Sequence, residues 1–148
     1  MASDLTAHLG YWLRYVSNHV SHAFAQKVAS QGVTVAEWVL MRSLHAADPL
    51  PPSVLAERMG MTRGAITKLA DRLIAKGLLV RNPDPNDGRA QRLALTSAGA
   101  AIVPELAAVA DRNDAEFFDH LAQEEREALL RILKEIVSRR GLKTIPVE

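Results

Sequence analysis

Six stretches of the chain carry apolar residues at spacings of three and four, the pattern of amphipathic helices, and two short runs between the fourth and fifth stretch read as strands. In residues 5–30 the stripe is Leu9, Trp12, Leu13, Val16, Val20, Ala23, Phe24 and Val28, uninterrupted by proline, which predicts one long helix. It stops at Gln31-Gly32-Val33. Thr34-Val35-Ala36-Glu37 then forms a capping box, in which the Thr34 hydroxyl and the Glu37 carboxylate satisfy each other's orphan backbone donors. A second helix is expected to about residue 47, burying Trp38, Met41, Leu44 and His45. Asp48-Pro49-Leu50-Pro51-Pro52 predicts an extended linker, because each proline disfavours helix in the residue before it.

The rest of the chain is organised around residues 52–99. A helix of about two turns, with Leu55, Ala56 and Met59 on one face, ends at Gly60. Thr62 is a good N-cap for the next, whose stripe is Ile66, Leu69, Leu73 and Ile74 and whose end is marked by Lys76-Gly77. This is a helix-turn-helix. The opposite face of its second helix carries Arg63, Gly64, Thr67, Lys68, Asp71 and Arg72, where a recognition helix meets a major groove. Residues 78–81 and 91–95 read as strands, and the turn-rich residues 82–90 as the hairpin loop between them, so the pair forms a wing.

Downstream, Thr96 caps a helix expected over residues 97–120, with Ile102, Leu106, Val109 and Phe117 as its stripe and Pro104 bending it. A final helix over residues 123–140 places Leu129, Leu130, Leu133, Ile136 and Val137 on one side. These outer stripes are too wide to leave in water, which predicts packing on one another or on a second copy. The expected fold is mainly α with a small β-hairpin wing: a winged helix-turn-helix DNA-binding region plus a helical dimerisation region. Residues 1–148 read as a single domain, with 1–47 and 97–148 dimerising and 48–96 binding DNA.

Composition narrows the chemistry. A chain of 148 residues, 48% hydrophobic, suffices for one core. The lack of cysteine excludes disulfides, thiol sensing and thiolate metal sites in this chain. With no apolar run near membrane length and no basic-then-hydrophobic start, the expectation is a soluble, cytoplasmic protein with no membrane partner. The net charge of +1 hides an asymmetry: residues 52–96 hold eight cations against four acids, and residues 97–138 hold four cations against nine acids. A basic middle is what meets phosphates. No Gly-rich phosphate loop, nucleophile elbow or placed carboxylate pair is present, so no enzyme activity and no cofactor are expected.

The chain resembles the MarR family of bacterial transcriptional regulators along nearly its whole length. The resemblance is carried by Gly32-Val33-Thr34-Val35-Ala36-Glu37-Trp38, by Leu55-Ala56-Glu57-Arg58-Met59-Gly60 with Met61-Thr62-Arg63-Gly64-Ala65-Ile66-Thr67-Lys68-Leu69, and by Asp71-Arg72-Leu73 before Lys76-Gly77-Leu78. Its strongest piece is Asp87-Gly88-Arg89 followed by Leu93-Ala94-Leu95-Thr96-Ser97-Ala98-Gly99, similar to the family's Asp-x-Arg…Leu-x-Leu-Thr-x-x-Gly signature. It implies a homodimer whose recognition helices enter successive major grooves of a pseudo-palindromic operator while the wing arginine reaches a minor groove. Many relatives are repressors released by small aromatic or phenolic ligands. Pro51 and Ala122 depart from the family's usual helix caps, which leaves those two helix starts open by a residue or two.

The expected partners are therefore double-stranded DNA, a second copy and a small aromatic or phenolic effector. The DNA-binding residues are expected to be Thr62, Arg63, Gly64, Thr67, Lys68, Arg72 and Arg89, with Asp87 supporting the wing and Asp71 holding Lys68 or a wing arginine. A solvated helix face is the competing use of Arg63, Thr67, Lys68 and Arg72, and an ordinary turn ion pair that of Asp87 with Arg89. Trp12, Tyr15, His19, Trp38 and His45 are the candidates for an effector pocket, against core filling and dimer packing. His19 and His22, with Glu37 or Asp119-His120, have usable metal-ligand spacing but no motif, and no metal is expected. The alternatives to a ligand-responsive repressor are a winged-helix protein-interaction module and a metal-responsive regulator.

Overall fold

The computed structural model describes residues 1–143. Among them, a 3-10 turn at Leu5–Ala7 precedes α1 (Leu9–Ala29), α2 (Val35–Leu44), α3 (Pro52–Met59), α4 (Arg63–Ala75), β1 (Leu79–Asp84), β2 (Asp87–Leu95), α5 (Ser97–Phe118) and α6 (Gln123–Arg140). The core forms where the stripes of α2, α3, α4 and α5 converge with the wing's base: Leu40, Met41, Leu55, Ile66, Leu73, Leu93 and Leu106 are fully enclosed. Val28, at the end of α1, joins them.

The helix starts follow local chemistry. Thr34, Thr62 and Thr96 each accept a hydrogen bond from the backbone N–H three residues on, at 3.1 Å. The capping box at Thr34 is complete, with the Thr34 N–H donating to Glu37 Oε1 at 2.7 Å. Pro51 caps α3 with no side-chain hydrogen bond, and Pro52 takes the first helical position, where its missing N–H costs nothing. At α6, Glu125 accepts the Ala122 N–H at 2.8 Å. Gly60 and Gly77 end α3 and α4 with φ of +64° and +74°. Pro104 lies within α5 on an exposed position, and the helix continues through it.

Four expectations need correction. The first helix is not continuous from residue 5: His8 is extended, and the Trp12 indole N–H donates to the Thr6 carbonyl at 2.9 Å, folding the 3-10 turn back on α1. The second helix ends at Leu44, because His45 is extended and Ala46 takes φ +58°, a left-handed turn without a glycine. Its buried side is Glu37, Leu40, Met41 and Leu44, with Trp38 and His45 only half-buried. The wing strands are longer than expected and leave only Pro85-Asn86 as the turn. There the Asp84 carboxylate accepts the Asn86 N–H at 2.8 Å and the Arg92 Nε–H at 3.0 Å, closing the hairpin with side-chain bonds at a register irregularity.

β1 and β2 pair antiparallel, Leu79 opposite Leu95. The proline-rich linker is tied to this two-stranded sheet by an isolated bridge: Leu50 and Leu93 exchange N–H···O bonds of 3.0 and 2.7 Å. That bridge holds the start of α3 against the wing.

Candidate nucleic-acid interface

The Thr62 cap launches α4 with Arg63, Gly64, Thr67 and Lys68 exposed on one face. The Thr67 hydroxyl donates to the Arg63 carbonyl at 3.0 Å, so its one proton is used within the helix, and its acceptor lone pairs and its methyl remain for contact. Among the described residues, neither Arg63 nor Lys68 lies within ion-pair distance of a carboxylate. Both charges face water.

The other end of α4 is anchored on three sides. Asp71 accepts a hydrogen bond from Arg81 of β1 at 2.5 Å, so the residue expected to hold Lys68 or a wing arginine holds the latter. Lys76 donates to both oxygens of Glu37 at 2.9 Å and to the Gly32 carbonyl at 2.9 Å. Arg72 Nε lies 3.8 Å from Glu37 Oε2, with more than half of its side chain exposed. Glu37 itself is fully buried. Burial raises its pKa, but the Lys76 ammonium and the Thr34 bonds outweigh that and hold it below the ordinary carboxylate value.

The third anchor explains the Leu-Thr-x-x-Gly part of the signature. The Thr96 hydroxyl donates to the Gly77 carbonyl at 2.7 Å, and the Thr96 N–H donates to Leu78 O at 3.1 Å. Gly99 sits so close that a Cβ there would lie 2.1 Å from Leu78 O. Only glycine lets α5 pass over this turn.

In the wing, Asp84 is held below its ordinary pKa by the Asn86 N–H and then by Arg92. Asp87 accepts the backbone N–H of Arg89 at 3.0 Å, shaping the chain at Arg89 rather than pairing with its guanidinium. Arg89 is exposed and unpaired among the described residues. Of the eight cations in residues 52–96, Lys76, Arg81 and Arg92 are thus committed internally, Arg72 leans on Glu37, and Arg58, Arg63, Lys68 and Arg89 have no carboxylate partner among the described residues.

The residues considered for an effector do not gather into one cavity. Tyr15 stacks on His19 with centroids 5.3 Å apart, and Trp12 lies 6.2 Å from Tyr15, forming an exposed aromatic ladder on α1. A groove of about 270 Å³ there is lined by Tyr11, Arg14, Tyr15, Asn18 and His19, without Trp38 or His45. No cluster of three or more potential metal ligands occurs among the described residues, and Glu37 is committed to Lys76.

A family model described as the MarR family matches residues 31–90, the segment from the turn before α2 through the wing tip. The multiple antibiotic resistance protein MarR of Escherichia coli is 31% identical over 94 residues, 64% of this chain and 65% of that protein. Together these matches support the MarR family for this chain. A transcriptional regulatory protein assigned to the hcr operon of Thauera aromatica, 29% identical over 90% of this chain and 81% of its own length, extends the similarity beyond the matched segment. A solved mutant of E. coli MarR complexed with operator DNA superposes with a TM-score of 0.76 at 27% identity, covering 87% of this chain and 93% of that one. These similarities support a transcriptional regulator of that family.

Proposed function

We propose that this MarR-family regulator is a sequence-specific repressor that binds a pseudo-palindromic operator as a homodimer and is released by a small aromatic ligand. One observation carries the DNA-reading part: the cations of the first two turns of α4 and of the wing tip stand unpaired in solvent, while their neighbours are held by internal carboxylates. Thr62 and Gly64 set the helix start against the DNA, Arg63, Thr67 and Lys68 meet bases or phosphates, Arg72 meets the phosphate rim, and Arg89, shaped by Asp87, enters the minor groove.

Dimerisation is supported by the terminal helices. Residues 1–47 and 97–148 act as the dimerising part and 48–96 as the reading part. α6 buries none of its residues, and Leu129, Leu130, Ile132, Leu133, Ile136 and Val137 are each more than a third exposed, as are Leu9, Trp12, Leu13 and Val16 on α1. Such a surface is covered by a second copy. The repressor reading draws on MarR, the multiple antibiotic resistance repressor, 27% identical with a TM-score of 0.73. The effector reading draws on the exposed aromatic ladder of Trp12, Tyr15 and His19 on α1; Trp38 of α2 and His45, just past its end, are the half-buried candidates outside that ladder. The same fold in Bordetella bronchiseptica BpsR has DNA binding regulated by 6-hydroxynicotinic acid.

Selection of bound sequences from random duplex DNA tests the reading. It is expected to enrich an inverted repeat with half-site centres about 34 Å apart, one turn of DNA. Failure to enrich any sequence, with binding indifferent to salt, would contradict it.

A further inference from the structure

Glu37 touches no solvent, so it cannot touch DNA, yet it is the most heavily bonded carboxylate near α4. A buried ion pair is a poor device for stability, because desolvation cancels much of the attraction and a well-packed apolar pair serves as well. What it supplies is direction. Both Glu37 oxygens are engaged by one ammonium, which also bonds the Gly32 carbonyl, so Lys76 at the end of α4 is fixed in position against the turn that opens α2.

The lever arm makes that position matter. At 1.5 Å per residue the 13 residues of α4 span roughly 19 Å, so about 5° of slack at Lys76 would move the Arg63 end by about 1.7 Å. A hydrogen bond to a base edge fails over a few tenths of an ångström, whereas attraction to phosphates barely notices. We propose that the buried Glu37, acting through Lys76, is a positioning residue for sequence readout: it sets the angle at which α4 enters the groove and thereby the preference for operator over other DNA. This rests on the reading that the first turns of α4 meet base edges.

The test compares affinity for the selected operator and for random duplex at one salt concentration, for the full-length protein and four variants. Lys76→Met and Glu37→Gln are expected to lower the operator-to-random ratio about tenfold, leaving random-duplex affinity within about twofold and its salt slope unchanged. Lys76→Arg, which keeps the pair, should restore most of the ratio. Lys76 is more than a third exposed, so Lys76→Met decides the matter if Glu37→Gln does not fold. A lower melting temperature with an unchanged ratio would reduce the pair to a structural role and overturn the proposal. Equal losses on both DNAs with a shallower salt slope would make Lys76 a phosphate contact, and would also overturn it. The double variant Arg63→Ala with Lys68→Ala separates the two readings: if it keeps full operator affinity, the DNA-facing assignment of α4 fails, whatever Lys76→Met does.

Discussion

Within α4, the first two turns and the last turn carry the same kinds of side chain in opposite company. At the start, Arg63 and Lys68 have no acidic partner among the described residues; at the end, Asp71, Arg72 and Lys76 meet partners from the wing and α2. Thr96 and Gly99 close over the same end from α5. A helix that only filled a core would have no reason for this polarity. One end is held by three elements, and the other is left to bind.

The strongest way to break the anchored end is Gly99→Ala. The new Cβ would meet a backbone oxygen, which cannot swing away as a side chain tip can. A loss of about 3 kcal/mol in unfolding free energy is expected, at the upper end of ordinary overpacking, read from the denaturant midpoint. A change below about 0.5 kcal/mol would mean that α5 shifts freely over Leu78.

Next in size is the separation of the two copies. Leu133→Glu together with Ile136→Glu places charges on the exposed face of α6 and should give a folded monomer by sedimentation. Operator affinity should then fall about a hundredfold, the scale of lost bivalency. A variant that remains dimeric would place the interface elsewhere.

At the free end, Arg89→Ala sharpens the contrast without disturbing the fold. Binding should weaken on all sequences alike, and the salt slope should fall by about one unit per protomer. An unchanged slope would mean that the wing does not reach DNA.

The smallest effect concerns acid. The pKa of Glu37 is lowered in the folded state, so its contribution to stability is fully present above the unfolded value of about 4.3 and is lost as pH falls through the folded value. Melting temperature should therefore drop below about pH 4, and Glu37→Gln should flatten that drop. Parallel curves for the two proteins would contradict the ionised buried pair.

Much of this polarity was legible in the chain. Periodicity and caps place α6 at residues 123–140 and find Thr34, Thr62 and Thr96 as helix starts, because these are local rules acting within one turn. The capping box also picks out Glu37, but only as a local cap. Its second role depends on Lys76, 39 residues away, and no spacing rule reaches that far. An acid on the apolar side of a helical stripe was the available signal. The short wing turn was hidden by Pro83, Pro85 and Gly88, which read as loop until the side chain of Asp84 is seen closing it. Ala46 gave no sign at all of its left-handed turn. The signature points to Gly99, yet the reason for glycine is a contact with Leu78 across the fold.

The claim that the free end of α4 reads sequence is tested most directly by Lys68→Ala, measured for affinity on the selected operator and on random duplex at one fixed salt concentration. Loss of a base-edge contact should cost about 1–3 kcal/mol on the operator and little on random DNA, whereas Arg72→Ala should weaken both alike. Equal proportional losses for Lys68→Ala on the two DNAs would show that it holds the helix to phosphate rather than reading bases, and would contradict the account.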